Sequence, residues 1–261
     1  AVQNGTLLTT NATSATLASF ANVTFTGVTL GNGTANSGNV TANNGADLFI
    51  GSGGLDLNAG KITLNDQGST TTLTLLGNGT QQLRGSGEVI FGGTSSAGIV
   101  SSSAAGSTLD IAAGILIHGT RHGTVGAAAL GLANHGTIKA DASGMTITVT
   151  GTNWTNDGTL WANTGTLTTA GSWSSSGASD LIQVDATGTL NLGGTFTTSA
   201  ISGNVTRATG STVNLVNTLD LATGSYDLGA AGNIGSLVLL NNAAVQNGTL
   251  LTTNATSATL A

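Results

Sequence analysis

The sequence contains no proline and no cysteine, and only 6% of its residues are charged. Without cysteine the chain can form no disulfide scaffold, no thiol-based active site and no zinc site with cysteine ligands. Proline removes a donor from the hydrogen-bond ladder of a β-sheet, and an ordinary chain of this length would hold about a dozen prolines. Its absence indicates a fold in which nearly every backbone N–H is committed to a ladder.

Positive charge is also scarce, since five Lys and Arg residues stand against eleven Asp and Glu, for a net charge of −6. Nucleic acids and anionic membranes attract proteins that carry basic patches, so we expect neither as a partner. No apolar run approaches the roughly 18 residues of a membrane-spanning segment, so we expect no membrane insertion. The five basic residues are Lys61, Arg84, Arg121, Lys139 and Arg207.

The composition nevertheless does not indicate disorder. Disordered chains are poor in apolar residues and rich in charge and proline, whereas 39% of this chain is hydrophobic and its mean hydropathy is +0.24. Glycine, with 41 residues, is more than twice as common as its usual share of about 7%. Apolar residues interrupted by frequent glycine are typical of short strands joined by tight corners.

One stretch of the sequence occurs twice, because Ala1–Ala18 returns letter for letter as Ala244–Ala261. We interpret residues 1–243 as one full repeat, and residues 244–261 as the start of the next, identical repeat, continuous with the first. An active site is needed once, whereas a rod is lengthened by repetition. The duplication therefore favours a structural protein over an enzyme.

Short apolar alternations with a period of two predict strands throughout the chain. One alanine-rich segment, residues 126–136, could form a short helix or a loop instead. The predicted strands centre on VTF at Val23, LDL at Leu55, LTL at Leu73, VIF at Val89, LDI at Leu109, ITV at Ile147, LNL at Leu190, VNL at Val213 and LDL at Leu219.

The spacing of these strands predicts a β-solenoid, in which successive coils stack and equivalent residues form ladders. Leu167, Leu190 and Val213 follow one another in steps of 23, whereas four earlier apolar positions follow in steps of 18. These four are Leu55, Leu73, Phe91 and Leu109. Periods of roughly 18 to 23 residues predict about 12 coils per 243-residue repeat, which corresponds to an axial length of roughly 55 to 60 Å.

Three glycine-rich phrases of the sequence are GNGTQQLRGSGEVIFGG at residues 77–93, NDGTLWANTGTLTTAGSW at 156–173 and ATGTLNLGGTF at 186–196. They resemble the β-strand repeats of large bacterial surface proteins, the filamentous-haemagglutinin-like and autotransporter-passenger families. The resemblance implies an all-β, right-handed parallel β-helix, export across a Gram-negative envelope, and work as an adhesin or fibre. The amino-terminal secretion module of two-partner systems contains Asn-Pro motifs, so a proline-free sequence would be shaft and not that module.

Trp161 is the candidate ligand contact, because it follows Lys139 at a step of 22 and therefore lies on an outward ladder. Aromatic rings exposed on a lateral groove can stack on sugars. Trp173, by contrast, is followed at steps of 23 by Phe196 and Leu219, which predicts a core position. We expect Trp161 to be exposed.

Other polar groupings carry a weaker signal. His118 and His122, in HGTRHG, have the spacing of a helical zinc site, but the glycines and the lack of a third ligand favour a solvated corner. Asp180 and Asp185 could both approach a sugar, and Thr-x-Thr triplets occur on several strands. We interpret both as ordinary outward residues, and we expect no metal and no cofactor.

The sequence therefore predicts a structural repeat of a long extracellular bacterial fibre or adhesin shaft, located at the cell surface. The expected partners are adjacent repeats of the same protein, stacked end to end, and lateral association of fibres and surface glycans are open alternatives. The alternative function is that of a carbohydrate-binding adhesin module.

Overall fold

The computed structural model describes residues 1–10, 13–95, 98–175 and 180–261. The described residues form 28 strands and one 3-10 turn, Thr198–Ile201, and within them no helix has the length and apolarity needed to span a membrane. The first fourteen strands are β1 Val2–Leu7, β2 Ala15–Leu17, β3 Asn22–Leu30, β4 Asn39–Asn43, β5 Asp47–Ile50, β6 Leu55–Asp66, β7 Thr71–Leu75, β8 Thr80–Gly93, β9 Gly98–Ser102, β10 Thr108–Ile111, β11 Gly114–Gly119, β12 Gly123–Gly126, β13 Gly131–Asn134 and β14 Thr137–Ala140.

The second half of the chain continues in the same way with shorter strands towards the end. These strands are β15 Thr146–Asn156, β16 Thr159–Ala162, β17 Thr166–Ser174, β18 Leu181–Val184, β19 Thr189–Leu192, β20 Thr195–Thr197, β21 Val205–Arg207, β22 Thr212–Leu215, β23 Thr218–Asp220, β24 Ser225–Asp227, β25 Leu237–Leu239, β26 Ala244–Gln246, β27 Thr249–Leu251 and β28 Ala258–Leu260. Each of the nine predicted strand centres lies on one of them.

All strand pairs among the described residues are parallel, and they join each coil to the next, so the chain is a β-solenoid as the sequence predicts. Three ladders of inward side chains run along it. Ladder I contains Val40, Ile62, Val89, Ile117, Ile138, Leu160, Ile182 and Val205. Ladder II contains Val23, Leu48, Leu73, Val100, Val125 and Val149, and then, from the adjoining inward position of the same strands, Leu167, Leu190 and Val213. Ladder III begins with Leu55, Leu83 and Ile111, and ends with Trp154, Trp173, Phe196, Leu219 and Val245.

The number of coils predicted from the sequence is wrong. Paired residues in neighbouring coils are 19 to 28 positions apart, and the solenoid has about 10 turns. The predicted 18-residue steps join different ladders, because Leu55 pairs with Leu83 and Leu73 pairs with Val100. A step of 18 is about two thirds of a coil in that region, so each step ends on another side of the solenoid. Ten coils at about 4.8 Å give an axial length of about 48 Å.

The 23-residue spacing predicted for the later coils is confirmed. Together with a 19-residue step from Trp154 to Trp173, it places three aromatic rings in one stack. The ring centroids of Trp154 and Trp173 are 5.3 Å apart, and those of Trp173 and Phe196 are 4.8 Å apart. Both indole N–H groups donate to backbone carbonyls, at 2.8 Å to Ala170 and 3.0 Å to Gly193. Buried indoles need such partners, so this part of the core is apolar and its two indole N–H groups are satisfied.

A buried polar pair extends ladder III below this stack. The Asn134 side chain donates from Nδ2 to Oδ1 of Asn156 at 2.7 Å, and both residues are fully buried. Asn156 donates in turn to the Ser175 hydroxyl at 3.3 Å. The alanine-rich segment 126–136, which could have been a helix, is a turn followed by strand β13.

The ring of Phe91 occupies space that two glycines leave open. A Cβ atom at Gly98 would lie 2.6 Å from this ring, and one at Gly123 would lie 2.3 Å from it. Gly98 and Gly123 are paired with each other on neighbouring strands of ladder II, and Phe91 is fully buried. The Phe91 ring therefore fits only because positions 98 and 123 have no side chain.

We expect Phe91→Ala to destabilise the solenoid by about 3–5 kcal/mol, because the glycines cannot fill the cavity that it leaves. Thr206→Ala, at an exposed outward position of ladder I, should stay within about 0.5 kcal/mol of the parent. Chemical denaturation followed by circular dichroism compares the two. Equal effects would contradict the packing described.

Candidate functional site

One outward column of ladder I carries the candidate residue Trp161. Its members follow one another from coil to coil, and the sequence changes from threonine at the amino-terminal end to charged and aromatic residues in the middle. The column contains Thr16, Thr41, Thr63, Ile90, His118, Lys139, Trp161, Gln183 and Thr206. The predicted register between Lys139 and Trp161 is confirmed.

Trp161 is held from two sides. The Lys139 Nζ lies 4.3 Å from the centroid of the indole ring, which is a cation–π contact. The indole N–H donates to Oδ2 of Asp185 at 2.9 Å. The expectation that Trp161 is exposed is wrong to this extent: the residue is partly buried, and one face of the ring is covered by lysine.

Asp185 collects the polar groups around Trp161. It accepts hydrogen bonds from the amide of Asn163 at 2.6 Å and from the amide of Gln183 at 2.9 Å, besides the indole N–H. Hydrogen bonds from the Gln183 amide, and then from the Asn163 amide and the Trp161 indole N–H, hold the pKa of Asp185 below its ordinary value, and the charge of Lys139 acts in the same direction. The carboxylate is therefore anionic at neutral pH and joins two coils.

This cluster leaves an indole edge, a carboxylate and amides on one side of the solenoid. A sugar could contact these groups by stacking and hydrogen bonding, although the covered ring face makes a smaller platform than the sequence suggested. Asp180 does not join the cluster, since its carboxylate accepts from the buried Ser175 hydroxyl at 3.0 Å. No sequence pattern indicates Asn163 or Gln183. Asn163 becomes a partner of Asp185 only through the stacking of coils, whereas Gln183 lies two residues before it on the same coil.

The three histidines have different partners and do not form one site. The ring of His118 shares a hydrogen bond of 2.8 Å with Oδ2 of Asp141, and His122 accepts one from the backbone N–H of Thr146 at 3.0 Å. His135 is half-exposed between Asp110 and Asp157. His118 lies on β11 and not in a corner, and in the described ranges no three His, Asp or Glu side chains converge on a metal position.

A groove of about 360 Å³ runs along the same side, but away from Trp161. It is lined by Lys61, Glu88, Ser86, Asn36 and Leu116, with glycines and alanines between them. Leu116 lies two coils before Thr159, the neighbour of Trp161 on its strand. This groove therefore lies apart from Trp161, the predicted ligand contact.

Threonines and asparagines stack on the outer side of ladder II. Two parallel columns contain Thr146, Thr166, Thr189 and Thr212, and Thr148, Thr168, Asn191 and Asn214. In the second column, Asn214 donates to Asn191 at 2.8 Å and Asn191 donates to the Thr168 hydroxyl at 3.2 Å. These side chains form hydrogen bonds with one another along the axis and so connect successive coils on the outer surface.

The second copy of the repeated stretch continues the solenoid at its carboxyl-terminal end. Strand β26 pairs with β23, β27 pairs with β24, and β28 pairs with β25. Two carboxylates hold it from the preceding coil, because Asp220 accepts from the Asn247 amide at 3.1 Å and Asp227 accepts from the Thr253 hydroxyl at 2.7 Å.

Both carboxylates have a pKa below the ordinary value. The Ala222 N–H and then the Asn247 amide cause the pKa shift at Asp220. At Asp227 the cause is first the Thr253 hydroxyl and then the Gly229 N–H. The sequence analysis did not identify Asp220 and Asp227. Each lies about one coil before its partners, at offsets of 26 or 27 residues, and this spacing could have identified them.

The two identical stretches meet different neighbours. In the first copy, Ala15–Leu17 pairs with residues 40–42, on ladder I. In the second copy, the same residues are Ala258–Leu260 and pair with Leu237–Leu239, which continues ladder II. Leu17 is 6% exposed and its counterpart Leu260 is 83% exposed. The sequence fits both ladders because the alternation of inward and outward residues is the same.

No protein-family model matches the chain, and neither does a curated protein or a solved structure.

The lowered pKa of Asp185 predicts how Asp185→Asn behaves with pH. The carboxylate stabilises the fold when it is ionised, so its contribution is complete above the pKa of unfolded Asp, about 3.9, and is lost as the pH falls through the lower folded value. We expect the parent to be more stable than the variant by a constant amount at pH 5–7 and the difference to shrink below about pH 4. Urea denaturation across this range measures it, and a difference that does not change with pH would refute the role given to the carboxylate.

Proposed function

We propose that the chain is one structural repeat of a long extracellular bacterial fibre or adhesin shaft, which forms a stiff filament for attachment or cell–cell contact. The observation that carries the proposal is the exact return of Ala1–Ala18 as Ala244–Ala261, together with parallel strand pairing of the second copy with the coil before it, through β26, β27 and β28. In this proposal the chain has no catalytic activity and needs no cofactor.

The ladders supply the mechanical property that a shaft needs. Each coil bonds only to the coil before and the coil after it, so the stability is a sum of contributions from the coils and from the interfaces between neighbours. The core is one continuous cluster from Leu17 to Leu237. A rod of this kind becomes longer by adding coils.

The basic side chains are engaged in separate contacts within the solenoid, which argues against nucleic acid as a partner. Lys139 lies over Trp161 and 3.9 Å from Asp141. The guanidinium of Arg207 is partly buried, donates to backbone carbonyls and to Ser211, and has a lowered pKa because of this burial. Arg121 donates to the Gly93 carbonyl at 2.9 Å. These three positive groups do not form a patch that could follow a phosphate backbone. The partners in this proposal are adjacent repeats, at the bacterial cell surface.

Denaturing electrophoresis and electron microscopy of the native material test the proposal. A covalent chain of hundreds of kilodaltons, in filaments with an axial repeat of about 48 Å, is the expected result. A species that is filamentous before denaturation but falls to about 25 kDa afterwards would mean non-covalent assembly of units. Material that is neither large nor filamentous would refute the fibre proposal.

A second candidate, a carbohydrate-binding adhesin module, is favoured by the polar groups around Trp161. A partly exposed indole beside Asp185, Asn163 and Gln183 offers an apolar edge with several hydrogen-bonding groups. Lys139 in this candidate would support the ring and would not bind the sugar directly.

Trp161→Ala should then abolish glycan binding on an array while leaving the circular dichroism spectrum unchanged. Thr137→Ala is the matched control, because Thr137 lies on the same outer side one coil earlier, in register with Thr159. It should leave binding unchanged. Binding that survives Trp161→Ala would refute this candidate.

A further inference from the structure

The repeated stretch lies on different sides of the solenoid in its two copies. We call the sides that carry ladders I, II and III side I, side II and side III. In the first copy, strand β1 begins on side II with Val2 and ends on side III with Leu7. The strand that follows it, Ala15–Leu17, lies on side I. The first copy therefore occupies the sides in the order II, III, I.

Every part of the second copy lies one side further on. Val245, the counterpart of Val2, lies on side III, because β26 pairs with β23 of ladder III. Leu250, the counterpart of Leu7, lies on β27, which pairs with β24. In the chain, β24 follows side III and precedes side II, and so it occupies side I. Ala258–Leu260 lies on side II, because β28 pairs with β25. The order is now III, I, II.

The repeat is therefore not a whole number of coils. On side III, ten successive strand pairings lead from Leu7 to Val245. Val245, however, is the counterpart of Val2, which lies one side before Leu7. The 243-residue repeat thus consists of ten coils and one further side.

The change of side keeps the inward residues inward. Leu7 and its counterpart Leu250 both pack against the core, although they lie on sides III and I. Leu17 is buried on side I, and its counterpart Leu260 pairs on side II with Leu239, which packs against the core. A slip of one residue would have turned all these side chains outward. An advance by a whole side does not.

The two copies also bond through opposite edges of the same stretch. The first copy pairs with the coil after it, and the second copy pairs with the coil before it. In the first copy the hydroxyls of Thr9 and Ser14 bond to the following coil. In the second copy the side chains of Asn247 and Thr253 bond to the preceding coil. No two of these four residues are counterparts, so a stretch inside a tandem chain can form both sets of bonds at once.

We propose that, in the tandem chain of the proposed fibre, each repeat is turned by one side relative to the repeat before it. The side that carries ladder II in one repeat carries ladder I in the next, and the side that carries ladder III carries ladder II. The inference rests on the proposed function, because it needs identical repeats in one chain.

The change of side determines where a lateral ligand site is presented. The Trp161 cluster lies on the outer surface of ladder I, and it contains Trp161, Lys139, Asn163, Gln183 and Asp185. In three successive repeats it therefore faces three different sides. The same side presents it again after about 31 coils, or about 150 Å. A partner spread over a flat surface, such as a glycan layer, meets a cluster whichever way the rod is turned about its axis.

Engineered cysteines test the change of side in the chain itself, which has no cysteine of its own. Thr259 pairs with Val238 on side II, and Val238 continues the outward column of Asn214. Neighbouring strands are about 4.8 Å apart, within the range that a disulfide spans. We expect Val238→Cys/Thr259→Cys to form an intramolecular disulfide on mild oxidation, detected by mass spectrometry of its proteolytic fragments.

Ser225 supplies two matched controls. It pairs with Thr249, so Ser225→Cys/Thr249→Cys should also form a disulfide. If the repeat were a whole number of coils, Thr259 would lie on side I above β24, and Ser225→Cys/Thr259→Cys would cross-link. We expect this pair to give at least about tenfold less disulfide than Val238→Cys/Thr259→Cys, because its two positions lie on different sides, beyond disulfide range. Absence of the disulfide in Val238→Cys/Thr259→Cys would overturn the inference.

Electron cryomicroscopy of the native filament tests the same change of side between whole repeats. When one line of stacked strands is followed through three repeats, we expect it to carry the Trp161 cluster in only one of them. A map in which the same line carries the cluster in every repeat would overturn the inference and leave the fibre proposal standing. Material without filaments would refute the fibre function, whereas the disulfides of the chain decide the change of side separately.

Discussion

The hydrogen bonds between parallel strands of successive coils are the interaction on which the structure depends. They run along the axis, so each coil uses the backbone donors and acceptors of its two neighbours and leaves few for other purposes. A proline anywhere in a strand would break this series, and the sequence contains none. The same bonds fix the register, and the register places like side chains above one another. The aromatic stack, the asparagine pair and the threonine columns all follow from it.

The sequence predicted the strands better than it predicted their stacking. Alternation identified the strand centres, and the constant 23-residue spacing in the later coils indicated the correct neighbours for Trp173 and Leu190. In the earlier coils the corners differ in length, and paired residues are up to 28 positions apart, as Leu55 and Leu83 are. The regular 18-residue pattern therefore joined residues of different ladders. Periodicity alone cannot separate one coil from two thirds of a longer coil. Only pairing in three dimensions does so.

The same limit applies to Trp161. Its register with Lys139 could be read from a 22-residue offset, and its outward direction followed from alternation. Its burial depends on where the lysine side chain lies and on a carboxylate one coil further on, Asp185, and neither is determined by strand pattern. Outward residues of a solenoid are thus never isolated. Their neighbours above and below decide how much of each side chain is available to a ligand.

The charge is confined to the coils between the two copies of the repeated stretch. All charged side chains lie between Asp47 and Asp227, and both copies, Ala1–Ala18 and Ala244–Ala261, are neutral. Two molecules that approach side by side over the charged coils bring like charges within a Debye length, about 8 Å at physiological ionic strength, and repel each other. Electrostatics therefore disfavour side-by-side contact along these coils and act little on the two repeated stretches.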